Sequence, residues 1–144
     1  MLDNFVLALV GVRRSGKTML SLQIAKDLVQ KKFFYMNFED PFFKIHNQVE
    51  IFDHLIKVFT LYFGFEPEIL VFDEIYHIDS WHRWVRKIID TKKYKIIITG
   101  SSAEMLSSEL STSLTGRVIE KHIYPLSFKE YLNFLEIQPR SDLE

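Results

Sequence analysis

An α/β fold, a parallel sheet with helices packed on both faces, is predicted by three observations. Apolar runs and amphipathic helical stretches alternate along the chain. The runs at residues 5–10 (FVLALV) and 69–72 (ILVF) contain no polar residue, as strands buried on both faces require. The turns after the runs carry glycine, carboxylate and hydroxyl residues, the types that open α/β sheets place at ligand-binding strand ends. Parallel strands joined through helices imply right-handed crossovers.

The elements follow in order. Residues 5–10 form the first strand and stop at Gly11. From Lys17 the period becomes helical, with Leu20, Ile24 and Leu28 on one face and Lys26, Asp27 and Gln30 elsewhere. Residues 33–38 are the second strand, closed by Glu39-Asp40-Pro41. Residues 49–63 read as a helix with a stripe of Phe52, Leu55, Ile56, Phe59 and Tyr62, punctuated by Gly64 and Pro67. The third strand, 69–72, runs straight into Asp73-Glu74. Asp79 or Ser80 can cap the next helix, whose Trp81, Trp84, Val85 and Ile88 face inward. The fourth strand, 95–99, ends in Gly100-Ser101-Ser102. A short helix near 103–110, a fifth strand around 118–124 and a final helix from about Ser127 complete the series.

The 144 residues fit one domain with a sizeable core. A formal net charge of −1 advertises no overall field toward nucleic acid or membrane. Cysteine is absent, which excludes disulfides, thiolate metal sites and cysteine nucleophiles and fits a reducing compartment. No apolar run is long enough to span a bilayer, and the first residues lack a signal-peptide pattern, so a cytoplasmic location without a membrane partner is the expectation. Four of the five glycines fall where turns or motifs need them: Gly11, Gly16, Gly100 and Gly116.

Gly11-Val12-Arg13-Arg14-Ser15-Gly16-Lys17-Thr18 fits G-x-x-x-x-G-K-[ST] at every fixed position, between a buried strand and an amphipathic helix. The glycines let consecutive N–H groups turn toward phosphate oxygens, and the helix start adds its unsatisfied donors and positive dipole end. Lys17 is expected to meet the β- and γ-phosphates and the Thr18 hydroxyl to ligate Mg²⁺, with Met19 completing the nucleotide-binding set. Asp73, at the end of a buried strand, is expected to hold Mg²⁺, through water, and Glu74 to polarise the attacking water as general base. ATP is favoured over GTP, because no Asn-Lys-x-Asp motif is present.

At the tip of the fourth strand, Ser101 first and Thr99 second are candidates to contact the γ-phosphate or the lytic water. Arg117, after Leu114-Thr115-Gly116, is expected either to project from the nucleotide edge as an arginine finger into a neighbouring subunit, which entails self-association, or to form a surface ion pair. Arg13 and Arg14 read as outward-facing charges within the loop, with help to the phosphates as the alternative that keeps both in the nucleotide-binding set.

Together these stretches resemble the prokaryotic AAA-type ATPases of the additional-strand P-loop class. The resemblance rests on residues 11–18, YMNFEDP at 35–41, FDEIYHIDSW at 72–81, IITGSSA at 97–103, LTGR at 114–117 and YPLSFKEY at 124–131, in that order. It implies a three-layer P-loop NTPase sandwich with a five-stranded parallel sheet in the order 5-1-4-3-2, ATP binding and slow hydrolysis. It also makes Glu39 or Asp40 a site-edge acid. Members of the family continue into a helical lid and a C-terminal domain, so the expectation is a core over residues 1–138 with a short tail at 139–144, reduced nucleotide affinity and little turnover alone.

The five histidines lack metal-ligand spacing. His82, Arg83, Arg86 and Lys87 with Lys92, Lys93 and Lys95 form a local basic surface, read as a solvated helix face ahead of a DNA contact. Two rivals accompany the ATPase-switch reading: a regulatory module that holds nucleotide without turnover, and a small phosphotransferase, for which no acceptor pocket or basic lid is visible in the sequence.

Overall fold

The structure, a computed structural model, describes residues 5–101, 114 and 116–136. Five strands, β1 (Val6–Val10), β2 (Phe33–Asn37), β3 (Ile69–Asp73), β4 (Lys95–Gly100) and β5 (Val118–His122), form one sheet in the order β2-β3-β4-β1-β5. All four pairings are parallel. This is the expected order read from the other edge. Every residue of β1 and β3 is buried, as their unbroken apolar runs require, whereas β2 and β5 lie at the edges and are more exposed.

Strand alternation divides the core in two. Val6, Ala8, Val10, Leu70, Phe72, Ile96 and Ile98 face helices α2 (Ile51–Phe63) and α3 (Trp81–Thr91). Leu7, Leu9, Ile69, Val71 and Ile97 face α1 (Lys17–Val29) through Ala25. The first cluster is knit by aromatic rings: Phe52 lies 5.0 Å from Phe72, 4.7 Å from Trp84 and 5.3 Å from Phe38, centroid to centroid. The Trp84 indole donates to Asp53 Oδ1 at 3.0 Å, so the one polar atom of that ring is satisfied.

Several local expectations shift. The inward stripe of α1 is Lys17, Ser21 and Ala25, while Leu20 and Leu28 are exposed. Lys17 must turn toward the loop that precedes it, and residues four and eight later share its face of the helix. α2 begins at Ile51 rather than at residue 49, and Gly64 ends it in the left-handed region at φ 75°. Its Tyr62 is exposed, about 80° around the helix from Phe52 at 3.6 residues per turn. Ser80 occupies the N-cap of α3 but makes no capping bond, and the Asp79 carboxylate accepts from Asn47 Nδ2 at 2.8 Å instead. His82 is buried, which removes it from the basic surface. β5 ends at His122, and the final helix, α4 (Phe128–Phe134), starts after a Ser127–Glu130 capping box. The expected helix near 103–110 lies outside the described residues. Among the described residues, no helix is long and apolar enough to cross a membrane.

Candidate functional site

The parallel register brings the carboxyl ends of the strands to one edge. Val10 pairs with Gly100 and His122, and Asn37 pairs with Asp73. The loop at 11–16 leaves β1 at this edge and enters α1. Gly11 N–H donates to the Gly100 carbonyl at 3.4 Å, and Ile123 N–H donates to the Val10 carbonyl at 2.7 Å. A Cβ on Gly11 would stand 2.1 Å from the Ile123 carbonyl oxygen, so only glycine fits between β1 and the segment leaving β5. Gly16, at φ 93°, takes the N-cap of α1 with no side-chain cap, and Arg14 also has a positive φ of 65°. The first N–H groups of α1 are therefore not taken by a capping side chain.

Lys17 is buried, and its ammonium donates to the carbonyls of Gly11 and Val12, both at 3.1 Å. It lies 3.9 Å from Glu74 Oε1. Thr18 Oγ1 donates to Asp73 Oδ2 at 2.8 Å, joining the loop to the end of β3. Thr99 Oγ1 donates to Asp73 Oδ1 and accepts from the Glu74 backbone N–H at 3.1 Å. That bond holds Glu74 at φ 54°, a left-handed conformation uncommon for a non-glycine residue. Two buried oxygens at this edge have no hydrogen-bond partner among the described residues: Glu74 Oε2 and Ser15 Oγ. A carboxylate oxygen held in this state beside a lysine is an acceptor waiting for a donor.

Tyr35, on β2, donates its hydroxyl to Asp73 Oδ2 at 3.2 Å. Burial, with Asp73 adjacent, pushes the phenol up from 10.0 to about 12, so it remains a donor at neutral pH. Tyr35, Asn37, Glu39, Asp73 and Glu74 line a cavity of about 350 Å³ with Arg13, Arg14, Gly16, Lys17, Thr18 and Met19. Tyr35, Asn37 and Glu39 also border a larger apolar groove of about 710 Å³, floored by Met36, Phe42, Phe43 and Leu55.

Most sequence-predicted residues thus converge. Arg13, exposed, pairs with Glu39, which makes Glu39 an acid at the site's rim. Val12 contributes its carbonyl, and its side chain points to solvent. Ser101 follows β4 at the same edge but does not line the cavity. Arg117 makes the surface ion pair that was one of its two expected roles, and its placement at the nucleotide edge is corrected: it precedes β5, so it stands at the opposite, amino-terminal edge of the sheet, where its carbonyl accepts from Val6 N–H and its guanidinium pairs with Asp90. A five-residue strand spans about 16 Å, which separates Arg117 from the nucleotide edge of its own chain. Tyr35 and Asn37 were missed as individual site residues. Their signal was the parallel register of β2 with β3; the implied strand order made these strands neighbours but did not say which residues of β2 stand level with Asp73.

Among the described residues no three His, Asp or Glu side chains gather as a metal cluster. A Mg²⁺ ion fits this donor set nevertheless. The Thr18 hydroxyl and Asp73 carboxylate are adjacent hard oxygen donors, and Mg²⁺ in nucleotide sites takes its remaining ligands from phosphate and water.

The sequence model of the AAA domain family matches residues 3–132. The chain is 38% identical over 134 residues to an uncharacterized protein of Methanocaldococcus jannaschii, covering 93% of this chain and 30% of that protein. It is 35% identical over 145 residues to an uncharacterized protein of Haemophilus influenzae, covering 97% of this chain and 36% of that one. The chain therefore spans about a third of the length of these relatives. Its fold is also similar to the AMPPCP-bound DnaA of Aquifex aeolicus, with a TM-score of 0.58, 16% identity, and coverage of 95% of this chain and 48% of that one. Phosphate-loop motif, parallel sheet order and family match agree: the chain belongs to the AAA domain family and has the fold of an AAA-type P-loop NTPase.

Proposed function

We propose that the chain binds ATP with Mg²⁺ in the cavity at the carboxyl edge of the sheet and hydrolyses it, as the switch of a longer protein or of a partner. The observation that carries this is the Glu74 carboxylate, one residue past the Thr18–Asp73 pair, with Oε1 3.9 Å from the Lys17 ammonium and Oε2 buried without a partner among the described residues. The loop N–H groups and the start of α1 would receive the phosphates. Lys17 would exchange its two backbone carbonyls for phosphate oxygens, a small movement because its ammonium already lies in the loop. Thr18 and Asp73 would hold Mg²⁺, which when bound offsets charge on the phosphate oxygens. Glu74 would take the proton of the attacking water as the water oxygen bonds to the γ-phosphorus and the bond to the bridging oxygen of ADP breaks. Thr99 links Asp73 to the Glu74 backbone, so the metal-holding residue and the base are coupled. Ser101 remains the candidate for direct γ-phosphate contact.

The test is Glu74→Gln against wild type. Wild type is expected to release phosphate from MgATP slowly, and the variant to bind ATP as well while losing at least about a hundredfold of that turnover, the usual size of a general-base contribution. ATP binding without turnover in either protein would instead support the regulatory-module reading. Absence of ATP binding in wild type would end both.

A further inference from the structure

Asp73 is 3% exposed, so its carboxylate must find its hydrogen-bond partners inside the protein. An ionised carboxylate offers about four acceptor positions. Three are taken: Thr99 donates to Oδ1, and Thr18 and Tyr35 both donate to Oδ2, at 2.8 and 3.2 Å. Thr18 and Thr99 come from the loop helix and the neighbouring strand. Tyr35 comes from edge strand β2, two residues before the Asn37–Asp73 register pair, and its ring is packed against the core cluster under α1. The hydroxyl is therefore delivered from a fixed direction rather than from a mobile surface side chain.

We infer that Tyr35 is a positioning residue for Asp73, which fixes the carboxylate so that about one acceptor position remains for a water of the hydrated cation. The inference rests on the reading of this cavity as a Mg-nucleotide site. Without the phenol, one threonine hydroxyl per oxygen would still keep Asp73 in place, but Oδ2 would have a free lone pair and the carboxylate plane more freedom to rock. The consequence falls on the cation and not on the nucleotide, whose phosphates meet the loop N–H groups and Lys17.

Tyr35→Phe separates these effects, since it keeps the ring in its packing and removes only the hydroxyl. The probe is N-methylanthraniloyl-ATP, titrated fluorimetrically in EDTA and again in MgCl₂; the ratio of the two affinities is the coupling between cation and nucleotide. The variant is expected to match wild type in EDTA within about twofold and to lose about tenfold of the Mg²⁺-induced tightening, the scale of one hydrogen bond to a charged group. An unchanged ratio, whether or not thermal stability falls, overturns the inference and leaves Tyr35 as a structural partner of a buried carboxylate. A parallel loss in both titrations overturns it as well, because that is the signature of a damaged loop. A wild-type protein that binds no nucleotide overturns the site reading together with this one; wild-type binding with a normal Mg²⁺ response confines the failure to Tyr35.

Discussion

A Cβ placed on Gly11 would meet the Ile123 carbonyl oxygen at 2.1 Å, and that oxygen belongs to backbone rather than to a side chain that could swing away. Gly11→Ala should therefore push the segment after β5 off β1 and cost about 1–3 kcal/mol, the range for overpacked interiors, read as a lower denaturant midpoint with an unchanged slope. At Gly16 the same substitution meets open space but a φ of 93°, so its cost is conformational rather than steric. Lys17 is a different case. Its ammonium is buried on two carbonyls, and those oxygens are also hydrogen-bond acceptors that any replacement leaves behind. Lys17→Ala should fold, lose some stability, and abolish the response to ATP.

Among the elements, α2 and its aromatic neighbours carry the larger core. Phe52 is fully buried against Phe38, Phe72 and Trp84, so Phe52→Ala should cost about 3–5 kcal/mol through lost transfer energy and the cavity left behind. α4 differs, because none of its residues is buried and its order depends on local bonds. Ser127 Oγ and backbone N–H both donate to the Glu130 carboxylate, which holds its pKa below the usual glutamate value. A depressed folded-state pKa contributes stability that is present above the unfolded pKa and lost as pH falls through the folded one. The exchange protection of the Tyr131 amide, whose N–H bonds the Ser127 carbonyl at 2.8 Å, should then fall on acidification below the carboxylate range, measured against the intrinsic exchange rate at each pH. Ser127→Ala should expose the helix start at every pH and flatten that acid dependence; an acid response retained in full by the variant would place its origin elsewhere.

For the whole molecule, nucleotide binding should appear as stability. A ligand at a hundred times its dissociation constant adds about 2.7 kcal/mol, which raises Tm by roughly 5–10 °C in a domain of this size. MgATP should produce such a shift in wild type, EDTA should reduce it, and Lys17→Ala should show none. A shift of equal size in Lys17→Ala would remove the phosphate-loop assignment. The chain spans about a third of the length of the matched relatives, and what an ATP-dependent change would act upon is a matter of proposal.

The alternating α/β layers and most residues of the candidate site were legible in the sequence. Short unbroken apolar runs bounded by turn residues fit doubly buried strands, and G-x-x-x-x-G-K-[ST] between such a strand and a helix carries its own chemistry because the loop's backbone supplies the donors. Asp73 and Glu74 were legible for the same reason, as charges at the end of a run that has no other polar residue. Where local pattern misled, a tertiary constraint had overridden it. Leu20 and Leu28 of α1 turned outward, with Ile24 kept against the core, because Lys17 had to turn inward, and His82 looked like part of a basic face until α3 was packed on the sheet. The order of the strands was implied by the resemblance, but which residues stand level across it came from the packed structure. Parallel register set Tyr35 and Asn37 beside Asp73, and the same register carried Arg117 to the far edge and into a pair with Asp90. Neighbours along a chain follow from local chemistry, but neighbours across a sheet follow from strand order, and no short stretch of sequence contains that.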